Sequence, residues 1–173
     1  IHRKNGRIIS LIDKKNGTEM IAAGKSAGFT FIETENVGMT AWTIGRHMTD
    51  IPVDNCTSLK ETHSGALRQS VQAVYEIRGN NIEVTYSLDK NASTVKMDVK
   101  VDWHEHTNGK QVIPVLDYRI PVAYETKEYQ YDIPMGAIRR QEYYNDVPGL
   151  QYGMALNPAS NSNAILISDC KYG

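Results

Sequence analysis

Apolar and polar residues alternate along most of this chain, and the alternation is cleanest across residues 94–103. There Val95, Met97, Val99, Val101 and Trp103 fall on one side of an extended chain, while Lys96, Asp98, Lys100 and Asp102 fall on the other. A period of two sends successive side chains to opposite faces, so the segment predicts a strand of an antiparallel sheet with one buried and one wetted face. All five apolar residues are expected to face the core, because a slip of one residue would turn every one of them to water. The segments 66–71, 74–78 and 82–88 read as neighbouring strands, with a turn at Gly79-Asn80-Asn81. Nearer the start, 7–12 and 18–21 flank Asn16-Gly17, whose positive φ angles suit a tight hairpin, and 29–33 and 39–44 read as further strands. Beyond Gln111 come 112–116, 118–124, 128–133, 135–142, 150–156 and 164–168, punctuated by Pro114, Pro121, Pro134, Pro148 and Pro158. No segment carries a helical stripe of comparable length.

So many short strands predict an all-β chain folded as a twisted antiparallel β-sandwich, since a lone sheet would leave one apolar face uncovered. Its 173 residues suit a single domain, which at this size buries roughly 70% of the surface that the unfolded chain exposes. No internal repeat, low-complexity tract or linker divides it.

With 19 basic and 20 acidic residues the net charge is -1, which leaves no electrostatic footprint for nucleic acid or an anionic membrane. No apolar run reaches the ~20 residues of a spanning helix. Cys56 and Cys170 lie far apart and form no metal-ligand spacing, so they read as two independent thiols in a reducing compartment, which points to the cytoplasm, with a long-range disulfide as the alternative. The acceptor patterns Asn16-Gly17-Thr18, Asn55-Cys56-Thr57 and Asn91-Ala92-Ser93 are short enough to arise by chance and read as incidental.

The opening 5–17 is similar to the first hairpin of the large β-sandwiches attached to several carbohydrate-active enzymes, and three later stretches narrow the choice: Asp102-Trp103-His104-Glu105, then residues 131–139 around Ile133-Pro134-Met135-Gly136, and Ser168-Asp169-Cys170-Lys171-Tyr172-Gly173. Together, and in this order, they resemble the C-terminal β-domain of glycoside hydrolase family 38 α-mannosidases across essentially the whole chain. The resemblance implies a piece of a larger enzyme: an N-terminal barrel with zinc, an aspartate nucleophile and a carboxylic acid/base, then a helical bundle, then a galactose-mutarotase-like supersandwich. Residues 1–173 correspond to the first part of that supersandwich, with its closing strands expected beyond Gly173. No counterpart of the zinc or nucleophile motifs occurs here, so neither a catalytic residue nor a metal ligand is assigned to this chain. The partners implied are the parent's own barrel and bundle, with mannosides or glycans as substrate.

Asp169, Lys171 and Tyr172 are the candidate cleft residues. They gather polar groups and an aromatic just after an apolar strand, where loops on a rigid scaffold make contacts, and the resemblance places them on the wall facing the barrel. The structural alternative is a tight turn, which selects Asp and Gly by itself. Asp102, His104 and His106 would project to one side of a continued strand, yet two imidazoles and a carboxylate leave zinc short of a ligand. Chance pairs such as Glu33 with Glu35, or Asp98 with Asp102, do not make a glycosidase acid pair without perturbed pKa values. Tyrosines crowd the second half and Trp42 and Trp103 read as core or sheet-face residues. The expected function is that of an accessory domain of a retaining, zinc-dependent α-mannosidase, inactive alone. A non-catalytic carbohydrate-binding module and a mutarotase-type enzyme are the alternatives.

Overall fold

The computed structural model describes residues 1–39, 43–107, 111–141, 151–157 and 162–169, and these contain strands but no helix. The chain is all-β. It opens with a short hairpin, β1 (Ile12–Asp13) and β2 (Thr18–Glu19), turning through Gly17 at φ 68°. Glu19 clamps this hairpin. Its carboxylate accepts from Ser10 Oγ at 2.6 Å and from the N–H groups of Leu11 and Ile21 at 2.9 Å. Those bonds, led by the one from Ser10, pull its pKa down to about 2.

The sandwich proper has two layers. One is β4-β3-β9, formed by β3 (Gly28–Glu35), β4 (His47–Pro52) and β9 (Val112–Arg119); the other is β5-β6-β7-β8, formed by β5 (Cys56–Ser64), β6 (Arg68–Ile77), β7 (Asn80–Asp89) and β8 (Val95–Asp102). Their inner faces share one core, in which Phe29 and Phe31 of β3 meet Ala73 and Tyr75 of β6 and Ile82, Val84 and Tyr86 of β7. Phe29 packs edge-on to Tyr118 at 4.9 Å between ring centres, and Phe31 stacks on Trp103 at 5.7 Å. Tyr86 and Tyr118 join their hydroxyls at 3.1 Å, which meets the polar demand of two buried phenols. Pro114 fits within β9 because β9 is an edge strand of its sheet, where a missing N–H breaks no inner ladder. β3, in the middle, is buried on both faces: Thr30, Ile32 and Thr34 on its outer side are as inaccessible as Phe29 and Phe31 on its inner side.

A second four-stranded sheet, β11-β10-β12-β13, is built from β10 (Glu128–Ile133), β11 (Gly136–Arg140), β12 (Tyr152–Asn157) and β13 (Ser162–Ile167). The bridge Ile21 to Val122 leads the chain toward it, and Tyr124 donates its hydroxyl to the Ala155 carbonyl at 2.9 Å.

Four expectations need correction. Of the segment 39–44, the described residue Met39 lies outside any strand. Thr43 and Ile44 lie outside any strand, Thr40, Ala41 and Trp42 fall outside the described residues, and the partner of β3 is instead β4. β5 escaped the alternation because it is a polar edge strand with register shifts at Cys56/Ser58 and Glu61/His63, each of which breaks the period of two. Segments 66–71 and 74–78 are one strand, β6, as 112–116 and the start of 118–124 are one strand, β9, and the β6–β7 turn sits at Arg78-Gly79, both with positive φ. Finally, Val95, Met97 and Trp103 pack against the core as expected, but Val99 and Val101 remain 43% and 42% exposed. Their β7 partners Val84 and Ile82 are fully buried. β8 is the edge of a four-stranded layer facing one of three strands, and alternation reports which side of a strand is apolar, not how far the opposite layer reaches.

Candidate functional site

The antiparallel order β11-β10-β12-β13 brings the end of β10, the β10–β11 turn, the start of β12 and the end of β13 to one end of the sheet. Tyr131 pairs with Gly153, Ile133 with Gly136, and Tyr152 with Ile167. Pro134 and Met135 make the turn, with Met135 in the left-handed region at φ 67° and fully exposed between the exposed Ile133 and Ile138. Proline pre-sets the first turn position, and the positive φ at the second then matches a type II turn. Asp132 secures this end from beneath: its carboxylate accepts from the N–H groups of Gln151 and Tyr152 at 2.9 Å. Ser168 donates its N–H to the Gln151 carbonyl at 2.7 Å, and Asp169 follows as an exposed bend.

Two of the motif segments singled out in the sequence, residues 131–139 and the stretch beginning at Ser168, therefore meet at one rim. Asp169 stands on it. Lys171 and Tyr172 lie outside the described residues. The rim offers a carboxylate and exposed apolar side chains, a surface suited to touching another body or a ligand rather than to acid–base chemistry by itself.

Comparison with known proteins decides the family. The model of the domain described as "Glycosyl hydrolases family 38 C-terminal domain" matches residues 1–173. This chain belongs to that family. Among curated proteins, Alpha-mannosidase G of Dictyostelium discoideum is 25% identical to the family 38 domain over 193 aligned positions. The match covers 98% of this chain, which spans only 16% of the length of that relative.

The remaining motif of the family 38 domain lies elsewhere. Trp103 is drawn under Phe31, the N–H of His104 is held by Asn80 Oδ1 at 2.7 Å, and Asn80 in turn donates to the Ile77 carbonyl at 2.9 Å. His104 Nε2 lies 3.2 Å from Asp102, while His106 Nδ1 turns to the His104 carbonyl at 3.2 Å. The three side chains do not converge, and no group of three or more His, Cys, Asp or Glu able to hold a metal ion occurs among the described residues. Glu33 is paired with Arg78 at 2.8 Å and Glu35 lies 3.9 Å from Arg46, so these carboxylates serve ion pairs. Of the tyrosines, Tyr118 belongs to the core, whereas Tyr129 and Tyr131 stack along β10 at 6.1 Å.

Sequence reasoning passed over a charged network on the outer face of β4-β3-β9. Arg119 donates to Asp50 at 2.6 Å and lies 3.7 Å from Asp117, while His47 Nδ1 sits 3.7 Å from Asp50. The hydrogen bond from Arg119 lowers the pKa of Asp50, whereas burial raises that of Asp117, partly opposed by Arg119 and His47. No motif could have revealed it, because the partners come together only through strand pairing: Asp50 sits opposite Ile32, and Asp117 opposite Thr30.

Proposed function

We propose that this chain is the accessory β-sandwich of a retaining α-mannosidase that hydrolyses terminal α-mannosyl residues, and that it packs on the enzyme's catalytic barrel and shapes its cleft. Membership in the family 38 C-terminal domain family over residues 1–173 is the observation that carries this reading. In such an enzyme zinc and the nucleophile belong to the barrel. The described residues of this chain do not fit a zinc ion, lacking a converging ligand set, and no step of the chemistry is assigned to them. The rim built by the β10–β11 turn and the end of β13 is the surface we assign to the cleft, with Asp169 as its polar contact, and Lys171 and Tyr172, outside the described residues, are the candidates that follow it in sequence.

Two measurements test this. The 173-residue chain should turn over no aryl α-mannoside with or without added zinc, while the full-length protein does so; turnover by the short chain that vanishes on replacing one of its carboxylates would reject the accessory role. In the full-length protein, Asp169→Ala or Tyr172→Ala should lower kcat/KM by about tenfold with the fold intact. Unchanged kinetics in both would remove the rim from the cleft.

A further inference from the structure

The outer face of β4-β3-β9 carries a groove of about 770 Å³, a size within the usual range of small-molecule sites. Strand register assembles its floor. Thr30 and Pro52 are neighbours across β3 and β4, Arg119 flanks them on β9, and Asp50 completes the row on β4. Arg7 and Lys25 from the N-terminal segment and Tyr129 of β10 form the walls.

The charges of this groove are nearly balanced once its ion-pair partners are counted. Arg7 is buried and committed: Nε donates to Ser26 Oγ at 2.8 Å, and Nη1 donates to the Phe29 carbonyl at 3.1 Å and lies 3.4 Å from Asp54. Arg119 spans Asp50 and Asp117. Asp50 is the carboxylate of the lining, beside Arg7, Lys25 and Arg119, and the ion-pair partners Asp54 and Asp117 outside the lining offset the remaining charge of the two arginines, which lowers the excess potential for a phosphate or another anion. What the groove does offer is a fixed row of alternating acceptors and donors, held in place by its own ion pairs, with an aromatic side chain beside it. Neighbouring hydroxyls on a sugar ring each donate one hydrogen bond and accept others, so a carboxylate beside a guanidinium satisfies both roles at once. The C–H face of the ring suits an aromatic wall.

We infer that this groove is a saccharide subsite, separate from the rim, which takes a neutral hexopyranoside through Asp50, Arg119 and Tyr129. Choosing an α-mannoside as its ligand rests on the proposed function; the groove's chemistry does not. The open shape and hydrated groups point to dissociation constants of about a millimolar.

The test is an amide shift titration of the 173-residue chain with methyl α-D-mannopyranoside, with inorganic phosphate in a parallel arm. Shifts should concentrate at Gly24 to Ser26, Thr30, Asp50, Arg119 and Tyr129, and Asp50→Asn should weaken binding about tenfold, since a charge-assisted bond is replaced by a neutral one. The wild-type shift map decides the matter even where that variant does not fold. No groove shifts with the mannoside, or shifts with phosphate alone, would overturn the inference. Absent groove binding beside normal mannosidase activity of the full-length protein sinks the subsite only. Groove binding in a full-length protein that cleaves no mannoside would sink the proposed function instead.

Discussion

Asp50 and Asp117 share one arginine yet are pushed in opposite directions, which makes their pH dependence a sharp local probe. Asp117 has its pKa raised above the ordinary 3.8, first by burial, so folding favours its neutral form. Its contribution to stability is therefore whole below about pH 3.8 and is lost as pH rises through the folded value. For Asp50, lowered by its bond to Arg119, the contribution is present above 3.8 and is lost as pH falls through the folded value. Urea unfolding from pH 3 to pH 7 should show Asp117→Asn gaining on the wild-type chain as pH rises, and Asp50→Asn losing ground over the same span. Parallel curves would mean that neither carboxyl senses the fold. Glycines give a second comparison at this scale. Gly79 has φ 78° with open space around it, so Gly79→Ala should cost about 1 kcal/mol of backbone strain alone. A methyl group at Gly6, with φ 65°, would stand 2.5 Å from the Tyr75 hydroxyl, and Gly6→Ala should cost about 3 kcal/mol by equilibrium denaturation.

Among the strands, β7 and β8 show how equal sequence patterns acquire unequal weight. Val84 and Val99 are direct cross-strand partners on the core side, one fully buried and one 43% exposed. Val84→Ala should destabilise the chain by about 2 kcal/mol, through lost burial and a residual cavity. Val99→Thr should cost less than about 1 kcal/mol. Similar losses in thermal unfolding would show that β8 is covered in solution after all. The alternating segments 82–88 and 94–103 each contained a real strand, and the Asn16-Gly17 turn a real hairpin. Polar, bulged edge strands such as β5 were illegible, since the cue is the contrast between two faces and these strands face water on much of both.

For the molecule as a whole, apolar side chains remain exposed on β8, on the β10–β11 turn and along β13, where Ile165, Leu166 and Ile167 are all open to solvent. Among the described residues β13 is also an edge strand, with backbone groups available for pairing. The isolated chain should bind a hydrophobic dye in its folded state and sediment with a concentration-dependent coefficient, and Met135→Lys combined with Ile167→Lys should reduce both effects. Dye binding that appears only on unfolding would show these side chains to be sheltered. The family 38 rim was legible in part: the residues of both motifs were readable, but not that Asp132, Met135 and Asp169 belong to one end of one sheet.

By itself the sequence determined the all-β class, the strands with strong facial contrast, the tight turns that need positive φ, and the family. Each of these is local, or a matter of residue order, and so is written along the chain. Tertiary structure alone decided which apolar faces are covered, how the rim is assembled, and the meeting of Asp50, Arg119 and Asp117 in one ion-pair network. Coverage depends on the reach of the opposing layer, and a site built across paired strands depends on register between residues far apart in sequence; neither leaves a periodic signal in the chain.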